Sequence, residues 1–108
     1  VGILGYGFLG KSVANYLNKL NYKVIGFKKL KSKSRNNIKI YTSKNLKIFL
    51  AKSDIVVAIL PDTDETKDFI DRKFLNSMNK KAFLINIGRG NTLNESDLLV
   101  HLNKNKDF

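Results

Sequence analysis

Two hydrophobic periods alternate along this chain, and the changes between them mark its elements. Val1-Gly2-Ile3-Leu4 is a short apolar run that breaks at Gly5, which reads as a strand. Leu9, Val13, Leu17 and Leu20 then recur at spacings of four, four and three. That spacing predicts a helix over 8–20 with one buried face, with Ala14 small enough to lie against a sheet. Asn21 is the expected stop, because asparagine tolerates the left-handed conformation. Residues 23–27 read as a second strand, and a strand, helix and strand within ~30 residues form a right-handed unit with parallel strands.

A polar, basic loop runs from Lys28 to Asn37, followed by a short third strand at 38–41 and a short helix with Leu46, Phe49 and Leu50 on one face. Residues 55–60 are a continuous apolar run, the pattern of a strand covered on both faces. Pro61 ends it. A loop leads into a short helix expected at 66–70, and Asp71 is placed to cap a further turn carrying Phe74, Leu75 and Met78. Residues 82–86 read as another buried strand, followed by the loop Ile87-Gly88-Arg89-Gly90. Asn94 is the expected cap of a last helix, with Glu95 and Asp97 in its first turn and Leu98, Leu99 and Leu102 toward the core. Strands alternating with helices throughout predict an α/β fold, a doubly wound parallel sheet, incomplete at its C-terminal end.

Composition narrows the picture only modestly. The chain has 108 residues, 43% hydrophobic and 27% charged, enough for one domain with a core but small for a complete two-substrate enzyme. With no cysteine, disulfides, thiolate nucleophiles and cysteine metal sites are excluded, and no metal site is expected. No apolar run reaches the ~20 residues of a membrane span. The net charge of +11 raises nucleic acid as a partner, but the lysines are spread along the chain without a recognised nucleic-acid motif. The reading therefore takes a small-molecule partner, with no nucleic acid, no membrane and a cytoplasmic setting.

The candidate chemistry starts at Gly5-x-Gly7-x-x-Gly10, set between a strand and an amphipathic helix. In that context three glycines point to a dinucleotide site. Gly5 allows a tight turn, Gly7 a close approach of backbone to a pyrophosphate, and Gly10 close packing of helix on strand. The backbone N–H groups of Phe8 and Leu9 then face the phosphates, with Leu9 also packing inward. At the end of the second strand an acid selects a ribose 2′-OH, whereas a base can bind a 2′-phosphate. Here that end carries Lys28 and Lys29, with Lys31, Lys33 and Arg35 following and no acid nearby, so NADPH is the expected preference and NADH the alternative. Arg89 lies just past a strand's carboxyl end, where open parallel sheets bind ligands, and its guanidinium can hold a carboxylate bidentately. His101, the sole histidine, is expected on the solvent side of the last helix and is not nominated as an acid or base.

Four stations in order resemble the D-isomer-specific 2-hydroxyacid dehydrogenases. They are Gly5-x-Gly7-x-x-Gly10 with Ala14, Leu60-Pro61-x-Thr63-x-Glu65-Thr66, Leu84-Ile85-Asn86-x-x-Arg89-Gly90, and Glu95-x-Asp97-Leu98-Leu99-x-x-Leu102. The opening segment and the basic loop are most similar to the glyoxylate/hydroxypyruvate reductase branch. The resemblance implies that residues 1–108 are the NAD(P)-binding, Rossmann-like domain, a fragment of a longer two-domain dehydrogenase that acts as a homodimer. It implies that Gly5, Gly7, Phe8, Leu9 and Gly10 meet the pyrophosphate, and that Lys28 and Lys29 lie near the adenosine ribose. Leu60 and Pro61 would line the cofactor, Thr66 would hydrogen-bond it, and Ile87 and Gly88 would approach the nicotinamide. Arg89 would be the catalytic arginine, anchoring the carboxylate of a small 2-oxo acid and polarising its keto group. The family's proton-donating histidine and its glutamate partner would lie downstream. Ile87-Gly88 replaces the more usual Thr-Ala, and glycine should be tolerated there.

Two other readings stand beside this one. A β-hydroxyacid dehydrogenase of the 3-hydroxyisobutyrate type opens with a similar glycine turn but leaves Arg89-Gly90 without a role. A non-catalytic nucleotide-sensing module needs the glycine turn alone.

Overall fold

The computed structural model describes residues 1–30 and 37–108. Five parallel strands form one sheet: β1 (Gly2–Leu4), β2 (Ile25–Phe27), β3 (Lys39–Tyr41), β4 (Ile55–Ala58) and β5 (Phe83–Asn86), in the spatial order β3-β2-β1-β4-β5. Central β1 aligns Gly2 with Ile25 on one side and with Val56 on the other. Four helices connect and cover the strands: α1 (Phe8–Lys19), α2 (Leu46–Ala51), α3 (Arg72–Ser77) and α4 (Glu95–Lys104).

The pleat sends alternate residues to the two faces. Ile3 and Val57 pack with Ala14 of α1, whereas Leu4, Val56 and Ala58 pack with Phe49, Leu50, Phe74 and Leu75 on the opposite face. The sheet is therefore covered on both sides, by α1 on one and by α2, α3 and α4 on the other, as a doubly wound α/β domain requires. Asn21 ends the first helical segment in the left-handed conformation, with φ 67°. Asp71 and Asn94 cap α3 and α4 as their side chains suggest, accepting from the backbone N–H groups of Phe74 and Asp97.

Four details depart from the sequence pattern. First, the buried stripe of α1 is Gly10 and Ala14 flanked by Val13 and Leu17, while Leu9 and Leu20 are exposed. The two smallest residues of the helix lie nearest the sheet because they permit the closest approach, and this turns Leu9 outward. Second, no helix forms at 66–70. Asp68 adopts φ 52°, and the backbone N–H groups of Asp68 and Ile70 donate to the carbonyls of Asn91 and Thr92. Tertiary pairing thus uses donors that a helix would have needed.

Third, β5 is only half covered: Leu84 joins the core, but Phe83 and Ile85 are 68% and 46% exposed. They align with Ile55 and Val57, on the face whose helix, α1, packs against β1 and β4 instead. Fourth, on α4 Leu99 and Leu102 are exposed and His101 is buried. Its imidazole meets the Phe108 ring edge-on at 4.7 Å, and Asn105 Nδ2 lies 3.3 Å from His101 Nδ1.

Burial pushes the His101 pKa down from its ordinary 6.5. The folded state thus binds this proton less readily than the unfolded chain does. The stability it contributes is fully present above pH 6.5 and declines as pH falls through the lowered folded value. Melting temperature should therefore drop on mild acidification below pH 6.5, and His101→Leu should flatten that part of the profile.

Candidate functional site

The strand order reverses between β1 and β4, and in open parallel sheets this switch point is where a crevice opens at the carboxyl ends. Short backbone bonds carry each chain segment past its strand there: Ile59 N–H donates to the Leu4 carbonyl at 2.8 Å and Ile87 N–H to the Ala58 carbonyl at 3.0 Å. The three segments that follow enclose an open cleft of about 620 Å³. Gly5, Gly7, Phe8, Leu9 and Gly10 line it from the turn after β1, Leu60 and Pro61 from the segment after β4, and Ile87, Gly88 and Arg89 from the loop after β5. A second cleft of about 400 Å³ shares Gly5, Gly7, Leu60 and Pro61 and extends toward β2, where Lys28, Lys29 and Thr66 join the apolar Phe27 and Phe69. Gly5, Gly7, Phe8, Leu9, Gly10, Lys28, Lys29, Leu60, Pro61, Thr66, Ile87, Gly88 and Arg89 thus each border one of two clefts that share part of their lining. Lys31, Lys33 and Arg35 lie outside the described residues.

The three glycines divide by what surrounds them. Gly5 has φ +102°, and a Cβ there would overlap the Ile59 carbonyl oxygen. A Cβ on Gly10 would overlap the Gly5 carbonyl oxygen. Both glycines are required by the fold itself. Gly7 differs, because apart from its own chain neighbours nothing among the described residues lies within 4 Å of where its Cβ would be. Gly7 is also the N-cap of α1, and that helix has no side-chain cap, in contrast to α3 and α4, and no acid in its first turn, in contrast to α4. The open space beside Gly7 and the uncapped N–H groups suit an anionic group on the cleft side.

The Arg89 loop is held from beneath by side chains. Asn86 Oδ1 accepts from Gly88 N–H at 3.1 Å, and Asn86 Nδ2 donates to the Arg89 carbonyl at 3.2 Å. The hydroxyl of Thr92, fully buried, donates to the same carbonyl at 2.7 Å. The Arg89 side chain is left exposed at the cleft, and among the described residues it forms no ion pair. A guanidinium fixed at its backbone and free at its tip is suited to an incoming carboxylate. Gly88 approaches the other wall so closely that a Cβ would sit 2.8 Å from the Leu60 carbonyl oxygen. Gly88→Ala should therefore push the β4 and β5 loops apart and cost about 1–3 kcal/mol, read as a lower melting temperature.

On the β2 side the structure alters two expectations. Thr66 Oγ1 donates to the Pro61 carbonyl at 2.5 Å and accepts from Thr63 N–H at 3.0 Å, so its hydroxyl proton closes the loop from within and only its acceptor capacity remains. An acid is also present after all: Glu65, from the segment after β4, reaches Lys29 at 2.9 Å. Sequence proximity to β2 could not show it. The supporting residues Asn86 and Thr92 and the tether from Asn91 Nδ2 to Asp62 were likewise missed. Their one signal was the polar Asn86 ending an apolar strand, the start of an Asx turn. Among the described residues no cluster of potential metal ligands occurs, and no helix is long and apolar enough to cross a membrane.

The model of the D-isomer specific 2-hydroxyacid dehydrogenase NAD binding domain matches residues 1–107. The chain belongs to that family. Glyoxylate/hydroxypyruvate reductase A of Escherichia fergusonii is 37% identical over 111 aligned positions, covering 98% of this chain and 34% of the relative. The dehydrogenase domain also superposes on a D-isomer specific 2-hydroxyacid dehydrogenase of Xanthobacter autotrophicus, solved with NADPH and MES. That match has a TM-score of 0.91 and 32% identity, over 97% of this chain and 43% of the other. An NADPH-dependent glyoxylate/hydroxypyruvate reductase of Sinorhizobium meliloti, solved with NADP and sulfate, gives a TM-score of 0.88 at 30% identity over 95% and 34%. The dehydrogenase domain spans about a third of the length of the curated relatives it matches. Membership of this family does not favour the β-hydroxyacid and nucleotide-sensing alternatives.

Proposed function

We propose that the two clefts hold a nicotinamide dinucleotide, NADPH in preference to NADH, and that the intact protein reduces a small 2-oxo acid of the glyoxylate or hydroxypyruvate type to its 2-hydroxy acid. The observation that carries this reading is the continuity of the crevice: one open space joins the glycine turn to Arg89. Gly7 and the N–H groups of Phe8 and Leu9 would hold the pyrophosphate. Lys28, Leu60, Pro61 and Thr66 would hold the adenosine in the second cleft, and Ile87 and Gly88 would face the nicotinamide end. When bound, the cofactor supplies the hydride. Arg89 pairs with the substrate's carboxylate and stabilises charge developing on its keto oxygen. Asn86 and Thr92 keep that arginine in place through its backbone.

The named function of the relatives, and the NADP and NADPH reported with two structural neighbours, support the substrate class and the preference. The chain is then the NAD(P)-binding part of a longer two-domain dehydrogenase, a homodimer working in the cytoplasm. His101 borders neither cleft, and the proposed proton donor is a residue downstream of this domain. The test is NADPH consumption by the intact protein. Loss of NADPH absorbance on adding glyoxylate or hydroxypyruvate, and not on adding a 3-oxo acid, is expected; the reverse pattern would overturn the reading.

A further inference from the structure

The cleft beside β2 has a charge arrangement that β2 itself does not carry. Its walls are apolar, formed by Phe27, Leu60, Pro61 and Phe69, and its mouth has Lys28 and Lys29 on one side and Glu65 on the other. Lys29 Nζ and Glu65 Oε2 stand 2.9 Å apart, joining the segment after β2 to the segment after β4. The hydrogen bond from Lys29 holds the Glu65 carboxyl below its ordinary range. Among the described residues Lys28 makes no ion pair.

Resting on the cofactor reading above, we propose that Glu65 is a specificity-determining residue for the nucleotide. It supplies, from the β4 side of the cleft, the carboxylate that dinucleotide sites commonly carry at the end of β2. A carboxylate at this mouth acts on a 2′-phosphate in two ways. It repels the phosphate directly, and it occupies the Lys29 ammonium that would otherwise receive it. A ribose 2′-OH carries no charge, meets neither penalty, and can donate to the same carboxylate. Lys28 draws a 2′-phosphate while Glu65 opposes it, so the preference for NADPH is held below what the lysines alone would give. NADH binding would then remain open to a site without an acid on β2.

Both partners are mostly exposed, at 67% and 72% of their side chains, so the effect is moderate and screened by salt. Exposure also makes the variants safe for folding, and an unchanged melting curve should accompany them. The experiment is isothermal titration of the intact protein with NADPH and with NADH at low ionic strength, for the wild type, Glu65→Gln, Lys29→Gln and the double variant. Glu65→Gln should tighten NADPH by about fivefold with NADH unchanged or weaker, and Lys29→Gln should weaken NADPH. In the Lys29→Gln background the gain from Glu65→Gln should shrink, because one of its two causes is gone. Adenosine 2′,5′-bisphosphate should follow NADPH, and 5′-AMP should follow NADH. An unchanged NADPH-to-NADH ratio in Glu65→Gln, or an equal shift for both nucleotides, would overturn the proposal. Binding of neither nucleotide by the wild type would overturn the cofactor reading, and this inference with it.

Discussion

Arg89→Ala in the intact protein is expected to lower kcat/KM for glyoxylate by at least about 100-fold while the Kd for NADPH stays within about twofold, since it removes the guanidinium proposed to pair with the substrate's carboxylate and to stabilise charge on its keto oxygen, an interaction of roughly 3 kcal/mol. The separation follows from where the residue sits. Its backbone is fixed by Asn86 and Thr92, so removing the side chain leaves the loop and the nearby glycine turn in place. Arg89→Lys should recover only part of the loss, because an ammonium keeps the charge but not the two-pronged geometry. Steady-state kinetics alongside NADPH titration check both statements. A parallel fall in nucleotide affinity would move Arg89 from the substrate to the cofactor.

The largest effect on stability is expected at Gly10. An alanine Cβ there would overlap the Gly5 carbonyl oxygen, and both partners of that collision are backbone, one in α1 and one leaving β1. Neither can yield without separating helix from sheet, so Gly10→Ala should cost about 3 kcal/mol or more and lower the melting temperature by roughly 10 °C or more. Gly7→Ala tests the opposite case. Apart from its chain neighbours, its Cβ meets nothing among the described residues within 4 Å, and its φ of −87° is open to alanine. The folding cost should stay below about 1 kcal/mol, the range of an N-cap change. NADPH affinity should nevertheless fall at least about tenfold, because the methyl group occupies the space left for the pyrophosphate. Thermal melts and titrations of the two variants separate a glycine required for folding from one required for binding.

The local pattern of the chain foretold most of the fold. The parallel sheet, the helix after the glycine turn and the caps at Asp71 and Asn94 all depend on residues close in sequence, where spacing and side-chain type decide the outcome. The departures occur where distant segments decide instead. Residues 66–70 carry an acceptable helical pattern, but pairing with Asn91 and Thr92 takes their backbone donors. Apolar β5 reads as covered on both faces, yet its exposure depends on how far α1 reaches across the sheet. His101 reads as a surface residue from its position after Asp97, but Phe108 and Asn105 fold back over it.

The same division holds at the site. Gly5, Gly10, Leu60 and Arg89 are legible because each belongs to a short motif with its own backbone task. Glu65 was visible as part of a motif but not as a partner of Lys29, since 36 residues separate them and only the strand order places their loops together. Thr66 borders the second cleft as its motif suggests, but its turn partners, Pro61 and Thr63, could not be recognised as such from the sequence. Which residues point into a cleft is local information. Which residues answer each other across it is set by topology.

The central claim is that the space between the glycine turn and Arg89 holds a dinucleotide whose pyrophosphate lies against Gly7. Its most direct test is calorimetric titration of the intact protein and of its folded Gly7→Ala variant with NADPH. Saturable binding by the wild type, weakened at least about tenfold in the variant at nearly unchanged melting temperature, is the predicted result. No saturable binding by the wild type, or equal affinity in the two proteins, would contradict it.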